Sequence, residues 1–225
     1  MVLLWRRWQP MGDAVGPALA TALALSFGTG HALLLGHDAP VALALLVAAA
    51  VLAPTQGPGA GLLAGVALPL APAGVGLLVV WAAQRRLVAA AVAIAGAVAL
   101  GALGLALGGS AAWSGYVGHA LPALFAGSAR IGHDHALASL LPLSPGLTVP
   151  ALATAMGAAV VAWSRPTDDP VTRGAQWSAA LLGFTLVAPV ATDAALSFAL
   201  PAMALAAIAV VRGQLVGSWA AVVGI

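Results

Sequence analysis

The chain has 225 residues, of which 62% are hydrophobic and only 6% charged, with a mean hydropathy of +1.06 and a formal net charge of +2. Eight basic and six acidic side chains cannot clothe a globule of this size in polar surface, which excludes an ordinary soluble domain and indicates an integral membrane protein. There is no Lys, no Glu and no basic run longer than Arg6-Arg7 or Arg85-Arg86, so an isoelectric point near 10.5 marks no nucleic-acid track; the lack of Cys excludes disulfides, thiolate zinc sites and cysteine nucleophiles.

Apolar segments recur to the C-terminus, so the opening MVLLWRRW reads as architecture and not as a removable signal. With about 20 apolar residues per crossing as the ruler, helices are predicted at roughly 14–34, 40–53, 87–108, 147–163, 175–191 and 194–211, with a long loop at about 109–146. Together they form one transmembrane domain over residues 1–225, an all-α polytopic membrane helical bundle. Asp38-Ala39-Pro40 reads as an N-cap followed by proline in the first turn.

The segment 59–81 has the length of one span, but Pro69 and Pro72 interrupt it, leaving either one kinked helix or two half-helices. Arginine placement separates the two. A single crossing puts Arg6-Arg7 and Arg85-Arg86 on opposite faces, against the bias of cytoplasmic loops toward arginine. A re-entrant hairpin with its turn near Pro69–Pro72 puts Arg6, Arg7, Arg85, Arg86, Arg165, Arg173 and Arg212 inside and only Arg130 outside. Trp5, Trp8, Trp81, Trp163 and Trp177 are then expected to form an inner interfacial belt, with Trp113 and Tyr116 as outer anchors. Gly61-x-x-x-Gly65 is a spacing suited to close helix packing.

The same topology gathers the polar outliers on the outer side: Asp38, Asp134 and Asp193, with His31, His37, His119, His133 and His135. A carboxylate at full bilayer depth costs about 2.5–3.5 kcal/mol, so Asp193 either caps the following helix or lines a wet cavity. The cluster His133-Asp134-His135 supplies two imidazoles, and His119 from the same loop is the one further candidate; a catalytic zinc needs three rigidly held ligands, so no metal site is expected and the histidines read as hydrogen-bonding groups of a wet loop. Asp13, Asp168 and Asp169 read as solvated charges near the inner arginines.

In order along the chain, several stretches resemble glycosyltransferase family 87, multispanning enzymes of the GT-C class. Leu35-Gly36-His37-Asp38-Ala39 stands where the family tends to carry Leu-Gly-Gln-x-Asn; the run from Ala60 to Gly65 precedes a proline break and Gln84-Arg85-Arg86; Asp134-His135-Ala136-Leu137 precedes Leu140-Leu141; and Ala188-Pro189-Val190-Ala191-Thr192-Asp193 keeps the proline and acid of a late family stretch. The resemblance implies a GT-C-like fold in the cell membrane and transfer of a hexose from a polyprenyl-phosphate donor, on the extracytoplasmic side, to a lipid or glycan acceptor. It implies no cofactor and no nucleic-acid partner. Asp193 and Asp134 would be the catalytic carboxylates, with Arg130, His133, His135, His37 and Asp38 binding substrate. The chain resembles the C-terminal half of such an enzyme: no first outward loop with its expected acidic base is recognised, and amide and lysine positions of the family have become other residues. A truncated or degenerate member is therefore expected, one that does not transfer sugar alone. A non-catalytic membrane scaffold and a transporter are the alternatives; half-helices and intramembrane acids suit a transporter, but no inverted repeat is visible and the acids lie toward one face.

Overall fold

The computed structural model describes residues 38–120, 122–123, 137, 145–188 and 195–202, and among them every element is helical. The helix expected at about 14–34 lies outside the described residues, as does most of the one expected at about 194–211, whose opening is a 3-10 turn at Ala195–Ala199.

Helix α1, Ala39–Leu52, begins where the sequence signals it: Asp38 occupies the N-cap position and Pro40 the first turn, where a missing N–H is harmless. The Asp38 side chain makes no capping bond; its backbone carbonyl accepts from Ala42 N at 2.9 Å. Pro54 follows the C-cap Ala53, and α2, Gly57–Ala67, starts with Pro58 in its first turn. The expected break then appears. Pro69 and Pro72 cannot donate to the preceding turn, so α2 stops at its C-cap Leu68, a 3-10 turn spans Pro72–Gly74, and α3 runs Val75–Ala83. At about 1.5 Å per residue these pieces are roughly 17 and 14 Å long.

A left-handed C-cap ends α3. Arg85 sits at φ 58°, Arg85 N donates to Ala82 O at 3.0 Å and Arg86 N to Trp81 O at 2.8 Å, the Schellman pairing. This turn aims the Arg86 side chain across the base of the bundle, where Nη1 donates to Ala53 O at 2.8 Å, a carbonyl at the C-terminus of α1. The chain thus leaves α1 and re-enters α4 at the same end.

Helix α4, Leu87–Gly115, runs parallel to α2: Gly61 lies against Ala89 and Val92, and Gly65 against Ala93 and Gly96. Small side chains permit this approach, with Ala60 and Ala64 of α2 and Ala89 and Ala93 of α4 all buried. Helices α5, Pro145–Trp163, and α6, Pro170–Val187, pack antiparallel, with Met156 against Gly183 and Gln176 Nε2 donating to Trp163 O at 3.2 Å and Arg165 O at 3.1 Å. Gly76 of α3 faces Ala180 and Phe184 of α6. Asp169 caps α6 through Oδ2, which accepts from the backbone N–H and hydroxyl of Thr172.

Two expectations need correction. Residues 109–120 continue as helix: Gly109, at φ 73°, ψ 166°, breaks α4, but helix resumes to Gly115 and passes into a π-helical turn at Tyr116–Ala120. Glycine adopts this backbone without a Cβ clash, so the Gly108-Gly109 pair bends the chain instead of ending the element. Trp81 and Trp177, expected in an interfacial belt, are 2% and 4% exposed and belong to the core with Leu46, Leu77 and Leu181. Their large apolar rings fill the space that the surrounding alanines leave. Trp163 is exposed, as a belt residue must be; Trp5 and Trp8 lie outside the described residues.

One helix among the described residues, Leu87–Ala111, is long and apolar enough to cross a membrane; its apolar window has mean hydropathy 2.3 and is only 17% buried. Leu87, Val88, Val98 and Leu107 project outward, the reverse of what water would favour.

Candidate functional site

The bundle has two unlike ends. At one, α1 and α3 finish, α2, α4 and α6 begin and α5 terminates, which brings Arg85, Arg86, Arg165 and Arg173 together. A polar seam joins them. Gln84 Nε2 donates to Gln176 Oε1 at 2.8 Å, both amides being buried, and Gln84 Oε1 accepts from Arg86 Nε at 3.2 Å. Arg173 Nη2 donates to Asp168 O at 2.9 Å. Burial and, after it, the Arg173 guanidinium hold Arg86 below the ordinary guanidinium value.

Among the described residues, the opposite end is apolar. An exposed groove of about 490 Å³ is lined by Ala97, Val98, Gly101, Ala102, Leu105 and Trp113. On a straight helix Ala97 and Trp113 would lie about 24 Å apart at 1.5 Å per residue, so only the reversal at Gly109 lets both line one groove. Trp113 meets Tyr116 edge to face at 6.4 Å and 76°, and the exposed His119 follows in the π turn. This pairs an apolar trough with the Trp113–Tyr116 pair at its edge, a setting suited to a flexible hydrocarbon chain carrying a polar head.

Of the site residues expected from sequence, Asp38 alone is described. It is exposed at the start of α1, a helix of 14 residues whose other end meets Arg86, so it stands about 20 Å from the arginines. Asp193, Asp134, Arg130, His133, His135 and His37 lie outside the described residues. Sequence reading missed the groove and the Gln84–Gln176 seam. The groove has a signal in hindsight, Gly101, Gly104, Gly108 and Gly109 thinning one face of an otherwise leucine-rich helix. Gln176 has a fainter one, an amide among apolar neighbours.

A sequence model described as glycosyltransferase family 87 matches residues 1–189. No curated protein and no solved structure matches the chain.

Proposed function

Since this chain belongs to glycosyltransferase family 87, a family of membrane glycosyltransferases, we propose that it crosses the cell membrane several times and binds a polyprenyl-phosphate-linked hexose on the extracytoplasmic side. The groove of α4 is the observation that carries this reading: its lining is apolar, it opens at the end remote from the arginines, and its rim holds groups that can hydrogen-bond a sugar or phosphate. On the positive-inside rule the arginine end is cytoplasmic. Helices α2 and α3 are then the two legs of a re-entrant hairpin in a GT-C-like bundle, each spanning about half of a hydrocarbon core roughly 30 Å thick. The Arg86–Ala53 bond supports it, because it ties the entry and exit of the hairpin to one side.

Glycosyl transfer of this type needs a carboxylate to take the proton of the acceptor hydroxyl and a cation or proton donor to neutralise the departing phosphate. We assign the first role to Asp193 and Asp134 and the second to Arg130, His133 and His135, with His37 and Asp38 at the substrate rim. These assignments rest on the resemblance of the sequence to the family. The family's amide and lysine positions that differ in this chain support a degenerate member that retains donor binding and has lost independent turnover.

The test uses the purified chain in lipid nanodiscs with a polyprenyl-phosphate sugar bearing a photoactivatable group in its first isoprene units. Cross-linking is expected on residues 97–113 and is expected to be lost in Gly101→Trp, which fills the groove. Cross-linking unaffected by Gly101→Trp would remove the donor-binding reading and favour a scaffold. Hexose transfer abolished by Asp193→Asn or Asp134→Asn would overturn only the loss of turnover.

A further inference from the structure

The arginine end carries chemistry that the groove does not use. Arg86 and Arg173 are both half-buried, and each guanidinium is held by neutral oxygens: Arg86 by Ala53 O and Gln84 Oε1, Arg173 by Asp168 O. Arg86 bonds Gln84, whose amide meets Gln176 about one turn beyond Arg173 on α6. Two like charges, each partly withdrawn from water, are unfavourable together unless an anion joins them. Asp168 is exposed and offers its backbone carbonyl to Arg173.

Two polar atoms of this end have no partner among the described residues. Arg173 Nε is fully shielded and bonds no described residue; Ser164 Oγ, in a residue 1% exposed, likewise has no described partner, and Ser164 lies between Trp163 and Arg165, whose carbonyls hold Gln176. Shielded donors left unpaired cost about 1–3 kcal/mol each, so they mark a place where an acceptor belongs.

We propose that Arg86 and Arg173, with the Ser164 hydroxyl, form a binding site for a phosphate group at the arginine-rich end of the bundle. A tetrahedral oxyanion offers several acceptor oxygens and matches the planar fork of a guanidinium. The same chemistry belongs to an anionic lipid headgroup and to free phosphate. A site between helix ends at the membrane surface is where headgroups are met. The site is separate from the proposed sugar-donor groove, and no donor is needed to detect it.

The full chain is reconstituted in nanodiscs of phosphatidylcholine, with and without phosphatidylglycerol, and retained lipid is counted by native mass spectrometry; inorganic phosphate is titrated in parallel against tryptophan fluorescence. Binding is expected to weaken about tenfold or more in Arg173→Gln, as expected for losing a charged hydrogen bond. Arg173→Lys keeps the charge and is expected to fall between the two. Arg165→Gln, at an exposed residue, is expected to bind like the parent. Arg86→Gln also loses the Ala53 bond, so Arg173→Lys is the variant that separates anion binding from folding. Retention of phosphatidylglycerol without a phosphate response identifies a lipid headgroup as the ligand, and the converse identifies a soluble phosphate. Either supports the site. No preference for phosphatidylglycerol and no phosphate response, or equal losses in Arg165→Gln and Arg173→Gln, would overturn it.

Discussion

Replacing Gly61 by alanine tests the contact on which the hairpin rests. An added Cβ would meet Ala89 O at 2.6 Å and Val92 Cβ at 2.7 Å, and at Gly65 it would meet Ala93 O at 2.9 Å and Gly96 Cα at 3.2 Å. The atoms met include backbone, which cannot rotate away, so α2 must move off α4. Overpacking of this kind costs about 1–3 kcal/mol. Against it stands the gain in helix propensity for Gly→Ala, about 1 kcal/mol. Gly104→Ala isolates that gain, because a Cβ there meets nothing within 4 Å on the same helix α4. The difference between the variants is therefore the packing term alone, about 1–3 kcal/mol, with Gly61→Ala the less stable. For a chain of this size each kcal/mol moves the midpoint by roughly 2–4 °C. Thermal unfolding of the two proteins in one detergent, followed by tryptophan fluorescence, reads the difference. Gly61→Ala melting at or above Gly104→Ala would refute the parallel α2–α4 contact and remove the support for a short hairpin.

Arg85→Gly is expected to stabilise the chain by about 1 kcal/mol, because φ 58° strains an L-residue and suits glycine; an unchanged or lower midpoint would argue against the Schellman turn. Gln176→Leu strands Gln84 Nε2 and the Trp163 and Arg165 carbonyls and is expected to cost about 2–4 kcal/mol, whereas the further change Gln84→Leu is expected to add less than its single effect. A midpoint for Gln176→Leu equal to the parent would show that the seam is not formed. Asp38→Cys and Arg85→Cys, each made in this cysteine-free chain at an exposed residue, are expected to react with an impermeant thiol reagent from opposite sides of intact vesicles; labelling from one side would refute the topology. Ser144→Cys is expected to be labelled from the same side as Asp38→Cys.

The parts of the fold that could be read in the sequence are those set by one residue's own chemistry. Proline cannot donate, so Pro40 opens α1 and Pro69 and Pro72 divide α2 from α3 without reference to the rest of the molecule. Arginine seeks the membrane surface, so the grouping of Arg85, Arg86, Arg165 and Arg173 followed from charge alone. What escaped depends on pairs. Nothing in the isolated stretches says that Gln84 and Gln176 will meet, nor that an arginine will accept the left-handed turn glycine usually fills; that strain is tolerated because it delivers Arg86 to the open end of α1. Trp81 and Trp177 misled for the same reason, since tryptophan suits an interface and a core alike and only the alanine-lined space around them decides.

Of the candidate site, the outward topology and the family resemblance selected Asp38, which is exposed at the start of α1. The groove needed the backbone, because its residues are ordinary bilayer residues until Gly109 folds Trp113 back over them. The two ends differ in how they are held. Hydrogen bonds between five elements lock the arginine end, whereas α4 beyond Gly96 meets solvent or lipid along most of its length. A chain anchored so firmly at one surface can leave the other free to admit a lipid tail. Movement on donor binding should then be confined to residues beyond the Gly109 bend. Fluorescence of Trp113 is therefore expected to shift on adding a polyprenyl phosphate, while the buried Trp81 and Trp177 stay silent. With Trp81 and Trp177 each replaced by phenylalanine the shift should persist. If the shift vanishes in that variant and survives Trp113→Phe, the lipid acts at the locked end and the groove is not its site.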